Sequence, residues 1–299
     1  MNLKNPSISA RVIADSVNPV GNRLTSLVIT IPRIVLAEFN THRALSRNSA
    51  SSRAIPFDKM VEQVMTNPFV PTAFQKEHTG MQGMYYFDEE MQKLLKEEWL
   101  HSRDEAVLHA KSLSGFGVTK QLCNRLLEPF LMHTIIATAT EWENFIALRA
   151  HEQAEIHIQD AGNKVLDALN RSTPVRLKAG DWHIPFGDNI NDELLTEALI
   201  ALELPPLSDP IRSKAKVQIA IARCARVSYM NFEGKDDYVA DIKLFNRLLD
   251  AGHMSPFEHV GMAMAASVPS GNFIGFAQYR KALDGENKKD NRLKEIKWQ

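Results

Sequence analysis

Cysteine is scarce in this chain: its 299 residues include only Cys123 and Cys224. Two thiols make no disulfide framework, and a reducing cytoplasm suits them. Cys123 lies between Leu122 and Asn124, and Cys224 between Arg223 and Ala225. Neither has the flanking His or basic cluster that lowers a thiol pKa, so both read as packing residues rather than nucleophiles. Long apolar runs are also missing. No window approaches the ~18 apolar residues of a membrane helix, and Met1 to Pro6 contains no apolar signal core. Nor does one sign of charge dominate: 35 Lys and Arg against 36 Asp and Glu leave a net charge of -1. Bulk electrostatics therefore attract neither nucleic acid nor a membrane surface, and any anion must be bound locally. A Gly-x-Ser-x-Gly elbow is absent, which argues against a serine hydrolase. A His-Glu-x-x-His helix is absent too, which argues against a zinc hydrolase.

The chain is 44% hydrophobic and 24% charged, ample for a buried core. No linker is rich enough in Gly, Pro or Ser to mark a boundary, so a single domain over 1–299 is expected. Within it the charged stretch at about 56–115 reads as a helical insertion, and 285–299 as a mobile charged tail.

The densest chemistry lies in Thr41-His42-Arg43-Ala44-Leu45-Ser46-Arg47-Asn48-Ser49-Ala50-Ser51-Ser52-Arg53. Guanidinium forks match phosphate edges, and short hydroxyls fill the remaining lone pairs. The run holds no Gly, so it is neither a Walker loop nor a dinucleotide turn. It reads as a phosphate-binding loop. Arg149 stands three and four positions after Ile146 and Phe145, hence on their helical face. A guanidinium there needs a partner, either a carboxylate such as Glu143 or Glu152, or a ligand anion. Arg125 poses the same question. In Gly252 to His259, two His and one Glu lie close together, but the spacing is not that of a metal helix. A turn role for Ser255-Pro256 competes with a site role for His253 or Glu258, and no metal is expected.

Local patterns place these residues. Leu27–Pro32 reads as a strand, Arg33–Phe39 as a helix, Phe69–Tyr86 as a loop, and 88–113 as a long helix capped by Asp88. Thr119–Leu127 reads as a helix stopped by Pro129, and Phe130–Ala137 as a strand or a helix entry. Thr140 and Glu143 form a capping-box pattern for the helix carrying Arg149, and another helix covers Ala154–Leu169. Gly180–Pro185 reads as a turn or short strand. Asp209-Pro210 opens a helix to about Ala225. Tyr238–Ala251 is a helix ended by Gly252, His259–Val268 a strand, and Asn272–Leu283 a short helix. Strand, helix and basic tip at Leu27–Arg43 are weakly echoed at His259–Lys281.

Three separated segments together resemble the flavin-dependent thymidylate synthase family. Thr41-His42-Arg43, seven residues, then Ser51 is similar to that family's Arg-His-Arg motif, with Asn48 and Arg53 in register. Asn144-Phe145-x-x-Leu148-Arg149, followed by Ala154 and Ile158, is the second match. His253-x-Ser255-Pro256-Phe257-Glu258-His259 is the third, and Arg125 with Pro129 fits an Arg-x-x-x-Pro segment. Departures are clear. Thr41 replaces the first Arg, Ser49 a Glu, Glu38 a Gln, and Glu155 and His157 stand where Gln and Glu are usual. The His-x-Ser-Pro segment also follows the basic motif, where most members have it first. The chain thus resembles a permuted, divergent branch.

The resemblance implies an α/β (α+β) fold with a mixed sheet flanked by helices. It implies an FAD enzyme that takes a one-carbon unit from methylenetetrahydrofolate to C5 of dUMP, with NADPH as reductant, giving dTMP. Carried over, Ser51, Arg53, Arg125 and Arg149 hold the nucleotide, with Ser51 and Arg149 catalytic. His42, Arg43 and Asn144 contact FAD, and His253, Ser255 and Glu258 line the flavin and folate side. A cytoplasmic homotetramer with shared sites is implied. Because the cofactor carries the redox step, no activated Cys is required. The missing Arg at Thr41 leaves an anchor to be supplied elsewhere, with Arg280 or Lys281 as candidates. Two alternatives stay open: hydroxymethylation of dUMP or dCMP, and a non-catalytic nucleotide- or RNA-binding protein.

Overall fold

The computed structural model describes residues 7–80, 82–187, 190–204, 208–227 and 237–283; the tail expected at 285–299 lies outside them. The chain opens as a hairpin, β1 (Ser9–Val17) and β2 (Arg23–Pro32), with a bulge between Val12 and Ala14. The strand expected at Leu27–Pro32 is the second half of β2. A 3-10 turn, Arg33–Val35, leads into α1 (Leu36–Asn40), then β3 (Ser46–Ser49), α2 (Phe57–Thr66) and α3 (Glu89–Gly115). The middle of the chain carries α4 (Lys120–Cys123), β4 (Met132–Ala139), α5 (Glu143–Arg149), α6 (Ile156–Arg171), β5 (Val175–Arg176) and β6 (Trp182–His183). The last third adds α7 (Asp192–Ala201), α8 (Asp209–Val227), α9 (Tyr238–Ala251) and the short strands β7 (Gly261–Ala263), β8 (Pro269–Ser270), β9 (Phe273–Ile274) and β10 (Phe276–Gln278).

The main sheet runs β3-β4-β2-β1-β5. Its pairs are antiparallel except β1 with β5, so the sheet is mixed, as expected. Period-two alternation sends Leu27, Ile29 and Ile31 to the same face as Ile135, Ala137 and Ala139. That face packs on Phe39 of α1, Phe145 of α5, and Ile158, Ala161 and Val165 of α6. On the opposite face, Ile136 and Val28 meet Cys224 and Val227 of α8. Both cysteines are buried, and burial pushes the Cys224 thiol pKa up, so neither is a poised nucleophile. A second sheet, β10-β7-β6, closes over the α8 side of the main sheet. The helices α2 and α3 make a separate cluster beside the sheet, Met60, Val64, Val107 and Ala110 packing on Leu127 and Phe130. Among the described residues no helix is long and apolar enough to cross a membrane.

Several local signals hold. Asp88 caps α3 by accepting from the Met91 amide at 2.9 Å. Gly252 ends α9 at φ +72°, the left-handed region that a Cβ disfavours. Others yield to tertiary contacts. Pro129 does not stop a helix, because α4 has already tightened into a 3-10 segment, Asn124–Phe130, with Pro129 inside it. Thr140 caps nothing. Its Oγ1 instead accepts from the Ile274 amide at 3.1 Å, and α5 begins without a side-chain cap. The strand expected at His259–Val268 is only Gly261–Ala263, since His259 belongs to a 3-10 turn, Ser255–His259. The helix expected at Asn272–Leu283 is β9, β10 and a 3-10 turn, Tyr279–Ala282. Its apolar residues pair across strands rather than along a helix.

Candidate active site

The basic run is not one loop. Its centre, Ser46–Ser49, is β3, the free edge of the main sheet, paired to β4 from Ser46↔Thr138 to Ser49↔Ile135. Edge pairing divides its side chains between the two faces. Arg47 and Ser49 share the α5 face, and Ser46 and Asn48 share the α8 face. The residues expected to form one site accordingly fall into three groups around this edge.

The first group gathers on the α5 face. Arg149, at the end of α5, donates from Nε to His42 Nε2 at 2.9 Å, and from Nη2 to Thr41 Oγ1 at 3.2 Å and the Glu38 carbonyl at 3.4 Å. Neither Glu143 nor Glu152 is its partner. Among the described residues its Nη1 makes no hydrogen bond. His42 is buried and rests edge-on against Phe145, 5.0 Å between ring centres. Burial, then the neighbouring Arg149 charge, lowers its pKa, while a hydrogen bond to Asn144 opposes this. A neutral imidazole is what an acceptor for Arg149 Nε requires. The Arg47 guanidinium donates to the His42 carbonyl. Burial and Arg43 lower the Arg47 pKa, with Glu258 opposing. Arg43 and Asn144 are exposed beside this group. An open cavity of about 850 Å3 adjoins it, with Glu38, Thr41, Leu148, Arg149, Gln153 and Glu155 in its wall.

The second group lies on the α8 face. Asn48 Nδ2 donates to the Cys224 carbonyl at 2.8 Å, and Ser255 Oγ to Asn48 Oδ1 at 3.4 Å. Gln278 Nε2 donates to Ser46 Oγ at 3.1 Å and to the Glu258 carbonyl at 3.2 Å. Arg280, a candidate for the anchor missing at Thr41, ion-pairs with Glu258. His253 is exposed, whereas His259 is fully buried and bonded through Nδ1 to Thr138 Oγ1 at 2.9 Å. The two imidazoles therefore occupy different environments. Among the described residues no cluster of His, Cys, Asp or Glu is arranged to hold a metal ion.

The third group follows β3. Ser51 precedes, and Arg53 lies within, a 3-10 turn, Ser52–Ala54, held against the segment bearing Arg125. Asn124 Nδ2 makes that junction, donating to the Ser52 carbonyl at 2.7 Å and the Ile55 carbonyl at 3.0 Å. The Ser52 hydroxyl bonds to Glu128, which also meets Arg33 at 3.4 Å. Arg53 and Arg125 are both exposed and Ser51 half-buried. The phosphate-loop expectation is thus corrected in part: Ser46, Asn48 and Ser52 are buried and hold the fold.

Two features of the first group escaped the sequence reading. Glu38 registered only as a departure from a motif. Gly162, mid-way along α6, drew no notice. A Cβ there would lie 2.5 Å from the Arg149 carbonyl carbon and 2.6 Å from the Ala150 nitrogen, so only Gly lets α6 approach the end of α5. The available signal was an isolated Gly inside an amphipathic helix.

No family model matches the chain, and no curated protein sequence matches it. Among solved structures it is similar to PolB, a UMP/dUMP methylase from Streptomyces cacaoi, in two crystal structures. With the complex bound to 5-Br UMP it shares 13% identity and a TM-score of 0.47, covering 56% of this chain and 90% of that one. With the 5-Br dUMP complex the values are 13%, 0.46, 56% and 92%.

Proposed function

We propose that this chain is a flavin-dependent enzyme that transfers a one-carbon unit from methylenetetrahydrofolate to C5 of dUMP, with NADPH as reductant, giving dTMP. The observation that carries the nucleotide half of this reading is the meeting of Arg149 with His42 and with Thr41, Thr41 and Arg149 sharing the wall of one cavity. Their motifs are over a hundred positions apart in sequence. Arg149 is held by three acceptors and keeps Nη1 for a ligand. A guanidinium oriented before substrate arrives stabilises charge developing on a pyrimidine ring without a reorganisation cost. C5 of a pyrimidine is a weak nucleophile until such charge develops, so Arg149 has the catalytic role. Ser51, Arg53 and Arg125 are the phosphate side, with Ser51 donating its hydroxyl to the nucleotide.

The residues present fit FAD. Its diphosphate needs cations and neutral donors free of competing carboxylates. Arg43 and Asn144 are exposed beside Arg47, and Glu258, the acid that acts on Arg47, is ion-paired with Arg280. His253 and Ser255 lie around the edge of β3, where a long cofactor can wrap. When bound and reduced by NADPH, the flavin would supply the hydride. His42 orients Arg149, and Leu148 adds an apolar surface to the cavity. The Arg53–Arg125 surface and the Arg149 cavity form separate groups within one chain. A cytoplasmic homotetramer with shared sites brings them to the same nucleotide.

The test is product mass after incubation of the purified protein with FAD, NADPH, methylenetetrahydrofolate and dUMP. The expected result is flavin uptake seen by absorbance, a dTMP product, and a tetramer by light scattering. A protein that takes up no FAD and leaves dUMP unchanged would refute the reading. A hydroxymethylated product would assign the other one-carbon outcome.

A further inference from the structure

A second cavity, of about 630 Å3, opens between α3 and α6, walled by a different set of residues from the Arg149 cavity. Helical spacing builds two of its sides. Lys96 and Leu100 stand one turn apart on α3, and His157, Asp160 and Lys164 share one face of α6. Ile8 and Phe69 add apolar surface. Phe69 is buried and met edge-on by the rings of His157 and Trp99, with centres 5.1 and 6.2 Å away, so its place is fixed. His157 has both ring nitrogens taken: Nε2 accepts from the Thr72 amide at 2.9 Å, and Nδ1 bonds to Glu155. The polar character of the cavity therefore comes from its charged side chains.

Those charges do not balance. Lys96 is half-buried and Lys164 exposed. Neither makes a hydrogen bond or an ion pair among the described residues, and Asp160, the acid in the wall, pairs with neither. An ammonium half-withdrawn from water beside apolar side chains carries a desolvation cost that an arriving anion offsets. Two ammonium groups against one carboxylate leave a single positive charge, so a monoanion restores neutrality. The volume lies within the ~300–1,000 Å3 of small-molecule sites. We infer that this cavity is a second ligand site, for a small acid with one negative charge and an apolar body. The body lies against Ile8, Phe69 and Leu100, and the acid group meets Lys96 and Lys164. Such a ligand is neither the nucleotide nor the cofactor proposed above, whose phosphates carry more than one charge. Residues 1–6, which lead into this wall, include Lys4 and no acid, so they do not supply the anion.

The experiment is a fluorescence titration of the full-length protein with anilinonaphthalene sulfonate, an apolar aromatic monoanion, and with phenylnaphthylamine, which has the same rings and no charge. The wild-type protein should bind the anion at least about tenfold more tightly than the neutral probe, the ratio expected of one charge-assisted contact. Lys96→Gln should lower affinity for the anion by about tenfold, and Lys164→Gln, in its more exposed position, by about threefold. Affinity for the neutral probe should be unchanged in both. Leu100→Trp, which fills the cavity, should abolish binding of either probe, with thermal melts showing that each variant folds. Saturating dUMP should leave probe binding unaltered. Absence of anion binding, equal affinity for the two probes, or unchanged anion affinity in Lys96→Gln overturns the inference. Displacement of the probe by dUMP overturns it too, because the probe would then occupy the nucleotide site.

Discussion

Gly162→Ala sets two effects against each other. In an exposed helix interior, Ala is favoured over Gly by roughly 1 kcal/mol, so helix propensity alone says that the substitution stabilises α6. Packing says the reverse. The new Cβ would sit 2.5 Å from the Arg149 carbonyl carbon, 2.6 Å from the Ala150 nitrogen and 2.8 Å from the Arg149 oxygen. All three are backbone atoms, with no flexible tip to give way. Reaching the 3.4 Å of ordinary contact takes a displacement of about 0.9 Å between α6 and the end of α5. Overpacking of this kind costs about 1–3 kcal/mol, which outweighs the propensity gain. The same displacement turns the 2.9 Å bond from Arg149 Nε to His42 into a gap of nearly 4 Å, beyond hydrogen-bonding range. A misplacement of about 1 Å in a positioning group costs about a hundredfold in rate. The expected result is therefore a lower denaturant midpoint together with a loss of turnover on dUMP far exceeding the loss of folded protein. Wild-type stability and wild-type kinetics in Gly162→Ala would refute the argument that helix approach sets the Arg149 geometry.

Three further outcomes are expected. Arg149→Ala should abolish turnover while FAD uptake, followed by absorbance, is largely retained; normal turnover would remove Arg149 from the site. Arg53→Ala should weaken dUMP affinity by about tenfold, the scale of one charge-assisted contact, with little change in melting temperature. Unchanged affinity would detach the Arg53–Arg125 surface from the nucleotide. Stability should also fall with acid well before the carboxylates titrate. Burial holds His133, His183 and His259 each down to about 3, against an ordinary value of 6.5. Folded, these rings stay neutral; unfolded, they take up protons below pH 6.5. Their contribution is complete above that value and is lost as pH falls toward 3. Denaturant midpoints measured from pH 7 to 4.5 should decline steadily, and a flat profile would show that these rings are not buried neutral.

The parts of the fold legible in the sequence are those set by neighbours in the chain. The Asp88 cap, the left-handed Gly252 and the bounds of α9 each depend on a few consecutive residues. So does the β-branched half of β2. The failures share a cause. Thr140 had a good local partner in the Glu143 pattern but found a better one in the backbone of Ile274. Ser46 and Asn48 look like phosphate donors until β3 pairs with β4 and turns them inward to Gln278 and Cys224. His253 and His259 look like neighbours in a motif, yet one is in solvent and the other in the core.

The candidate site follows the same division. The sequence by itself determined which side chains are candidates for the chemistry: a basic hydroxyl-rich run and Arg149 on a helical face, with no activated thiol and no net field for a polyanion. Those are properties of composition and short-range spacing, present before the chain folds. Only tertiary structure decided which of them meet. Edge pairing of β3 divided the run between two faces, and the Gly162 approach brought the end of α5 to His42 and Thr41. Contacts between residues a hundred positions apart depend on strand order and helix packing, which no local pattern encodes.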